Sequence, residues 1–323
     1  PDAVIREISD RIEGVVAELV RIGSPRMVDP VPYAVIIDRM SHQVPFYRTD
    51  LKHAALQGCR VINDPFLWSA DDKFFGASLA GRLGIRHPRT RLLPHKEYVT
   101  GLQHDRSLRN LEYPLDWQGV VADVGLPCVL KDAHGGGGAD VHVCRSLDEL
   151  LLHYNESGQL LMIAEEYVEW DRFVRCLCIG RDQVLPMEYH PGDRRYGPYD
   201  SPIAPHLAAG IAADSRRLVR ALGYEMNCVE WAVREGVAYV VDLVNPVPEL
   251  EPELLGEPNF RWAVERVSDL SIRLAKAGSP SQRPVRTVGG TAERLTGGSD
   301  LNGAGDLAEE FPSLARDLPR RSE

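Results

Sequence analysis

Residues 127–143 read Pro-Cys-Val-Leu-Lys-Asp-Ala-His-Gly-Gly-Gly-Gly-Ala-Asp-Val-His-Val, and they are the most informative part of the chain. An apolar strand ends in Lys131, a loop with four consecutive glycines follows, and a second apolar strand leaves the loop. Glycine has no Cβ, so backbone N–H groups of such a loop can approach a polyphosphate, and a lysine adds a charge suited to phosphate oxygens. A plain β-hairpin gives a similar pattern without needing the lysine, so other motifs must decide between the two interpretations. The glycines are Gly135, Gly136, Gly137 and Gly138.

The composition is that of a globular protein of two or three packed units. The 323 residues are 44% hydrophobic and 26% charged, with a formal net charge of −10. Such a surface repels nucleic acid and anionic lipid in general, although a local basic pocket is compatible with it. No apolar run approaches about 20 residues, and the N-terminus lacks the basic and apolar regions of a signal peptide. We therefore expect a cytoplasmic protein without a nucleic-acid or membrane partner. Because the chain begins without methionine, residues can precede Pro1.

The cysteines indicate buried thiols. Most of them lie inside apolar, strand-like runs, and none shows a Cys-x-x-Cys or Cys/His metal spacing. We therefore expect reduced thiols in the core and neither disulfides nor a zinc site. The six are Cys59, Cys128, Cys144, Cys176, Cys178 and Cys228.

Hydrophobic periodicity and turn residues predict an alternation of helices and strands. The first part alternates helix, strand, helix and strand, which is typical of a small parallel α/β unit. Later strands come in pairs across tight turns, which predicts antiparallel pairing. The predicted helices are 3–22, 45–56, 71–84, 147–154, 205–222 and 260–277, and the predicted strands are 33–38, 59–63, 127–130, 141–144, 160–168, 173–179, 183–189, 228–233 and 237–244.

Several helix ends carry capping signals. Asp71 or Ser69 is the expected N-cap of the helix 71–84, and Gly84 is expected to follow its last turn. Ser146 opens the helix 147–154 with a capping box. After about Gly278 the sequence becomes rich in Gly, Ser, Pro, Arg and acids, so we expect a disordered tail there.

Two further elements can complete a nucleotide site around Lys131. Lys73 lies on the first turn of the helix 71–84, where it could meet the α-phosphate. Taken alone, a lysine at such a position is more often a solvent-exposed residue without a role in binding. Glu165-Glu-Tyr-Val168 ends a buried strand. Backbone groups at such a strand end can bind an adenine edge, and Asp171 could hold the ribose hydroxyls. The alternative is an acidic strand end in solvent.

A metal site is predicted on the last strand pair. Glu230 and Asp242 are acids within apolar strands, and Asn245 follows Asp242 by three residues. Two carboxylates and an amide oxygen suit Mg²⁺, or Mn²⁺ in its place, which prefers oxygen ligands. Two edge acids that face solvent are the alternative, but unpaired burial of an acid would be costly.

Other polar residues have weaker claims to a site. Arg175 is a charge among apolar strand neighbours, and its guanidinium could brace the γ-phosphate as it transfers. The loop 191–198 carries Arg194, Arg195 and Tyr196 and is long enough to act as a lid, or it is an ordinary solvated loop. His134 adjoins the glycine loop and could touch phosphate, or it has no role.

These motifs together resemble the ATP-grasp superfamily, in the branch of glutathione synthetase, D-alanine ligase and ribosomal-protein glutamyl ligases. The matching landmarks follow the family order over roughly residues 30–275. They are Asp71-Asp-Lys73, Val129-Leu-Lys131 with the glycine loop, Glu165-Glu-Tyr-Val168, Arg175, Val229-Glu230 and Asp242-Leu-Val-Asn-Pro246.

The resemblance implies the ATP-grasp fold, in which an N-terminal parallel α/β unit precedes two α+β subdomains that clasp ATP. The corresponding domains would be 1–70, 71–160 and 161–277, with the tail 278–323. Lys73 and Lys131 would bind the ATP phosphates under the glycine loop, and Glu166 and Val168 would meet adenine through their backbones. The metal ligands would be Glu230, Asp242 and Asn245. The family places its last acid and asparagine two apart, so here the strand must bulge or end between them to bring them together.

The resemblance also implies the chemistry. A carboxylate of a small molecule or peptide would attack the γ-phosphate and become an acylphosphate, which an amine or thiol would then displace. Such a ligase needs positioning and electrostatics rather than a covalent nucleophile. Two alternatives keep the fold: an ATP-binding regulatory or partner-binding module, and a small-molecule kinase.

The N-terminal unit is expected to form part of the acceptor pocket. Asp38-Arg-Met-Ser-His42 follows a buried strand at its C-terminal end, where ligands bind in open α/β sheets. Phe46 and Tyr47 could line the same crevice. A polar strand end without a ligand is the common alternative.

Overall fold

A computed structural model describes residues 1–68, 71–102, 104–136, 140–197 and 203–278. Within these ranges helices and strands are mixed along the chain, which confirms the predicted α/β class with α+β character. The helices are α1 (Asp2–Asp10), α2 (Pro45–Leu56), α3 (Pro65–Trp68), α4 (Lys73–Arg82), α5 (His104–Ser107), α6 (Trp117–Val124), α7 (Leu147–Glu156), α8 (Pro205–Leu222), α9 (Pro252–Leu255) and α10 (Glu257–Lys276). The strands are β1 (Val35–Ile37), β2 (Arg60–Ile62), β3 (Thr90–Leu92), β4 (Cys128–Asp132), β5 (Val141–Cys144), β6 (Met162–Glu166), β7 (Arg172–Ile179), β8 (Gln183–His190), β9 (Arg195–Tyr196), β10 (Met226–Arg234) and β11 (Val237–Asp242).

The described strands form three sheets. The first is the parallel pair β1–β2, as the alternation of elements predicted. The second has the order β3-β6-β4-β5 and the third the order β11-β10-β7-β8-β9, and both are antiparallel throughout. Since β6 belongs to the second sheet, that sheet extends beyond residue 160. The domain boundaries given above stay predictions.

The second sheet holds the glycine loop between its strands β4 and β5. Cys128 and Leu130 on β4 are fully buried and pack in one cluster with Val124 of α6 and Leu150 of α7. Because side chains alternate along a strand, Lys131 points to the other face of this sheet, away from the helices. The helices α6 and α7 thus cover one face of the sheet, and Lys131 lies on the other face.

The third sheet has two different faces. Val174 and Cys176 of β7 pack in a cluster with residues of α8. Leu177 and Ile179 pack on the opposite face with residues of α9 and α10. By alternation Arg175 shares that second face, so this face is apolar at one end of β7 and charged toward the other.

A bulge changes the register between β10 and β11. Glu230 pairs with Asp242, but the next residue, Trp231, pairs with Val240, so Val241 is the extra residue. The bulge places Asp242 directly across from Glu230. The strand β11 ends at Asp242, so it ends before Asn245, as the three-residue spacing required.

The first predicted helix is wrong in length. We expected it over 3–22, but α1 ends at Asp10, and Ile12 and Gly14 adopt left-handed backbone angles with φ of 50° and 74°. Beyond this break Ile12 is 89% and Val16 is 90% exposed, whereas Val20 packs against the cluster of β1 and α2, so these apolar residues do not share one buried face. A periodic pattern that buries no face cannot hold a helix of this length.

The cap of α4 also differs from the prediction. Asp72, not Asp71, is the N-cap, and its side chain accepts a hydrogen bond from the N–H of Phe75. Asp71 instead accepts a 2.5 Å hydrogen bond from the hydroxyl of Tyr224, and burial raises the pKa of its carboxyl. Gly84 follows the C-cap with φ of 68°, as expected. Ser69 lies outside the described residues, as does the predicted tail after Gly278.

The cysteines are free and buried, as predicted. All six occupy core positions without forming a disulfide. Burial raises the pKa of the Cys144 thiol to about 11, so this thiol stays protonated and unreactive at neutral pH. Among the described helices, none combines the length and apolar character needed to cross a bilayer.

Asn63, directly after β2, ties the first sheet to the third. Its side-chain oxygen accepts hydrogen bonds from the N–H groups of Glu225 and Met226, both at 2.8 Å. Its amide nitrogen donates to the carbonyls of Met226 at 2.6 Å and of Pro246 at 3.1 Å. A buried side chain thus supplies partners to four backbone groups at the joint between two sheets.

We expect Asn63→Ala to lower the free energy of unfolding by about 2–4 kcal/mol, because buried backbone donors would lose their partners. Urea denaturation followed by circular dichroism measures this change. Asn155→Ala on the exposed side of α7 is the matched control and should stay within about 0.5 kcal/mol of the wild type. Equal stability of the two variants would contradict the anchoring role of Asn63.

Candidate active site

Lys131 joins the second and third sheets. Its ammonium group lies 2.6 Å from Glu165 Oε2 on β6 and donates a 3.1 Å hydrogen bond to the carbonyl of Val241. Val241 is the extra residue of the bulge in β11. The Lys131 side chain is only 9% exposed, so its charge is compensated by Glu165 in a largely dry environment.

Lys73 lies between the glycine loop and the acids of the third sheet. It is the first residue of α4, and its N–H donates to the carbonyl of Ala133 at 2.9 Å. Its ammonium group donates to the carbonyl of Gly135 at 2.5 Å and lies 3.6 Å from Asp242 Oδ2. The structure therefore brings both predicted lysines to β11, one at Val241 and one at Asp242.

The start of the glycine loop has little room for side chains. A Cβ on Gly135 would come within 3.1 Å of the Asp132 side chain, whereas a Cβ on Gly136 would meet nothing within 4 Å. A side chain at position 135 would therefore crowd Asp132, whereas a side chain at position 136 would meet open space. The remaining predicted loop glycines, Gly137 and Gly138, lie outside the described residues. His134, the residue before Gly135, is exposed.

The predicted adenine segment is partly engaged by protein. Glu165 pairs with Lys131, and Glu166 pairs with Arg89 at 2.9 Å, while the Glu166 N–H donates to the Arg89 carbonyl. Tyr167 and Val168 continue from β6, and Val168 is buried. The strand end is thus held in place by two ion pairs.

Asp171 is fixed to the third sheet rather than to the lysines. Its carboxylate accepts a 2.8 Å hydrogen bond from the N–H of Glu235, in the turn between β10 and β11. Its own N–H donates to the carbonyl of Val233 at 2.9 Å. The ribose role predicted for Asp171 would require its second oxygen or a change in this contact.

The predicted metal acids face each other across β10 and β11. Burial raises the pKa of the Glu230 carboxyl, the Asp242 carboxylate adds to this rise, and Arg175 opposes it. Two acids held together under such repulsion form a donor set that a cation would relieve. Among the described residues no group of three or more His, Cys, Asp and Glu side chains could hold a metal, so the set depends on an amide or on ATP oxygens as further ligands.

Asn245 is held by its backbone beyond the end of β11. Its N–H donates to the side-chain oxygen of Asn227 at 2.8 Å, and its carbonyl accepts from the N–H of Cys228 at 2.9 Å. These bonds place Asn245 beside β10, two strand residues from Glu230. Its role as a ligand stays a prediction.

Arg175 lies in a second cluster of charged side chains, on the face of the third sheet that carries Glu230. Its guanidinium lies 2.8 Å from Glu230 Oε1 and 3.3 Å from Glu249 Oε2, and it stacks over the Tyr189 ring at 3.8 Å. Tyr196 of β9 also interacts with Arg175. The predicted γ-phosphate residue therefore contacts a predicted metal ligand directly.

A small pocket lies between α4 and β11. Three of the predicted site residues line it, namely Lys73, Glu165 and Asp242, whereas Lys131, Glu230, Asn245 and Arg175 do not. Among its lining residues are Lys73, Gly76, Pro88, Glu165, Asp242 and Leu243.

The N-terminal loop after β1 is organised by its own contacts. Asp38 is buried and accepts hydrogen bonds from the N–H groups of Met40 and Ser41 and from the Ser41 hydroxyl. Burial lowers the pKa of His42. Arg39 donates a 2.6 Å hydrogen bond to the carbonyl of Pro248, so this loop reaches the segment that follows β11.

Glu249 was missed by the sequence analysis. It lies in Pro246-Val-Pro-Glu249, between the predicted metal segment and α9, and its carboxylate reaches Arg175. The available signal was an acid a few residues beyond Asp242 and Asn245, in a proline-rich segment that no helix or strand pattern explains.

The lid predicted for 191–198 is described only to Gly197, and there Arg195 and Tyr196 pair with β8.

Comparison with known proteins gives distant relatives. No protein-family model matches the chain. It is 27% identical over 194 residues to the carbamoyl phosphate synthase large chain of Deinococcus deserti, a match over 55% of this chain and 17% of that protein. It is 28% identical over 148 residues to the D-alanine–D-alanine ligase of Pseudothermotoga lettingae, over 39% of this chain and 48% of that ligase. The chain thus spans less than half the length of each of these relatives.

Solved structures are similar over most of the chain. A RimK domain ATP-grasp protein of Sphaerobacter thermophilus has a TM-score of 0.58 at 18% identity, covering 86% of this chain and 94% of that one. The D-alanine–D-alanine ligase of Bacillus anthracis has a TM-score of 0.50 at 17% identity, covering 67% of this chain and 71% of that one. At such identities the likeness shows the fold, and it confirms the resemblance predicted from the motifs.

Proposed function

Because the chain has the ATP-grasp fold, we propose that it is an ATP- and Mg²⁺-dependent ligase that joins a carboxylate to an amine or thiol through an acylphosphate. One observation carries the proposal: Lys73 and Lys131 reach Glu230 and Asp242 at the bulge in β11, where the second sheet meets the third. Lys73 lies 3.6 Å from Asp242, and Lys131 donates to the residue before it. Two cations and two acids at one place fit a triphosphate and its metal ion.

The two lysines would hold the triphosphate from opposite sides. Lys73 approaches from α4 and the glycine loop, and Lys131 approaches from β4. Both are now paired with carboxylates, so ATP would compete with Glu165 and Asp242 for their charges. A bound Mg²⁺ would supply positive charge to the phosphate oxygens from the side of Glu230 and Asp242.

Arg175 would stabilise the charge that develops on the transferred phosphoryl group. It lies on the face of the third sheet that carries Glu230, and the Tyr189 ring supports its guanidinium plane. Its contact with Glu230 keeps it beside the metal acids, where the γ-phosphate would end. A fixed donor at this point costs no reorganisation during the reaction.

A screen for ADP release tests the proposal. N-acetylated amino acids and dicarboxylic acids serve as carboxylates, and amino acid amides serve as amines, each as a mixture with Mg²⁺ and ATP. We expect ADP release that needs both mixtures together. ADP release that stays absent in every combination would contradict ligase activity.

A regulatory ATP-binding module is the second candidate, favoured by the position of Asn245 beyond the end of β11 rather than on it. Such a module would bind Mg-ATP in calorimetry and release no ADP in the same screen. A kinase would release ADP with one mixture alone and leave a stable phosphate ester.

A further inference from the structure

Glu249 is an acid at the reaction centre without a part in the function proposed above. Its Oε2 lies 3.3 Å from the Arg175 guanidinium, which itself lies 2.8 Å from Glu230. The Glu249 side chain is 52% exposed, whereas Glu230 and Arg175 are largely buried. In the row Glu230, Arg175, Glu249, only the Glu249 carboxylate is therefore open to solvent.

The position of Glu249 is fixed from both sides of its loop. The carbonyl of Pro248 accepts the 2.6 Å hydrogen bond from Arg39, which comes from the loop after β1. On the other side, the carbonyl of Asn245 is bonded to the N–H of Cys228 on β10. Burial lowers the pKa of Arg39, and Glu251 and Asp38 oppose that effect. Two sheets thus hold the segment that carries Glu249 against Arg175.

Space for a second substrate lies nearby. A cavity of about 370 Å³ has Tyr196, Met187 and Leu255 in its lining. Tyr196 interacts with Arg175, and it packs in one cluster with Leu250, the residue after Glu249. Glu249 does not itself line this cavity, but its side chain is 52% exposed against 16% for Arg175, so Glu249 is the member of the pair that an acceptor from solvent can reach.

The negative charge of Glu249 favours one of the two acceptor classes, amine or thiol, over the other. An amine is protonated at neutral pH and must lose a proton before it can attack an acyl carbon. A carboxylate attracts the ammonium form and can accept that proton, whereas it repels a thiolate. An open carboxylate beside the phosphoryl-transfer residues therefore favours an amine over a thiol.

We propose that Glu249 binds the ammonium group of an amine acceptor and takes its proton, an inference that rests on the ligase function proposed above. The proton passes from nitrogen to the Glu249 carboxylate and then to water. The freed lone pair forms the C–N bond at the acylphosphate carbon, and the C–O bond to phosphate breaks with its electron pair on phosphate. The second N–H proton leaves with the phosphate, so the products are an amide, phosphate and one released proton.

Hydroxylamine distinguishes this role from a general loss of activity. It is neutral at neutral pH and attacks acylphosphates without giving up a proton first. The test compares wild type, Glu249→Gln and Glu249→Asp, with N-acetylated amino acids and dicarboxylic acids as carboxylates. The acceptor is either hydroxylamine, read as hydroxamate, or the mixture of amino acid amides, read as ADP. Glu253→Gln is the matched control, an exposed acid on the neighbouring α9.

We expect Glu249→Gln to lower amide-supported ADP release by about 10²-fold or more, and to leave hydroxamate formation close to the wild-type rate. Glu249→Asp should recover part of the loss, and Glu253→Gln should behave as wild type. Equal losses with both acceptors would overturn the proposal, because Glu249 would then act only by placing Arg175. Full activity of Glu249→Gln with the amides would overturn it too. Absence of both products in the wild type would overturn the ligase function itself, and the role of Glu249 with it.

Discussion

Replacing Lys131 by methionine is expected to lower ADP release by about 10²–10³-fold, the typical effect of removing one preorganised charge from a transition state. Methionine keeps much of the side-chain volume but lacks the ammonium group that bonds to Glu165 and Val241. The loss should appear in kcat/KM of the responsive pair from the ADP-release screen.

The same substitution leaves a buried acid without a partner. Breaking a buried ion pair by removing one side costs about 3–5 kcal/mol, so Lys131→Met alone is expected to unfold more easily. The double variant Lys131→Met with Glu165→Gln removes both charges and should recover most of the stability. If the double variant also recovered activity, Lys131 would be a structural residue rather than a phosphate ligand.

Replacing Asp242 by asparagine is expected to separate metal binding from nucleotide binding. The variant loses a metal carboxylate, so we expect its affinity for Mn²⁺ in the presence of ATP to fall at least about 10-fold. It also frees Lys73, which lies 3.6 Å from Asp242 Oδ2, so ATP without metal should bind as tightly as in the wild type or more tightly.

Electron paramagnetic resonance of free Mn²⁺ and calorimetry with ATP measure these two effects. Glu225→Gln is the matched control, because Glu225 lies just before β10, outside the paired region with Asp242, and pairs with Arg181 at 3.0 Å. Unchanged Mn²⁺ affinity in Asp242→Asn would exclude Asp242 as a ligand. A parallel loss of metal-free ATP binding would show that the substitution damages the pocket as a whole.

Local patterns predicted the elements that carry the lysines and acids. The strand on which Lys131 lies was readable because apolar residues precede it and glycines follow. The antiparallel pairing of β10 with β11 followed from the turn at Arg234-Glu-Gly236, but that turn alone would set Glu230 opposite Val241, and only the bulge places Asp242 there. Such signals depend only on residues close together in the chain, so they can be interpreted without knowledge of the tertiary structure.

Features that depend on contacts between residues far apart in the chain could not be predicted from the sequence. The helix expected over 3–22 has the right periodicity, but only its first turns meet α10, and the apolar residues beyond Asp10 do not share one buried face. Asp72 takes the cap because Asp71 is drawn to Tyr224, which lies far along the chain. Glu249 acquires its position from Arg175 and Arg39 together, and no spacing in its own segment indicates either contact.

A crystal structure with Mg²⁺ and a non-hydrolysable ATP analogue tests the central claim most directly. We expect a triphosphate between the ammonium groups of Lys73 and Lys131, with the metal ion bound by Glu230 and Asp242. A nucleotide bound elsewhere on the chain, with both lysines still paired to Asp242 and Glu165, would contradict it.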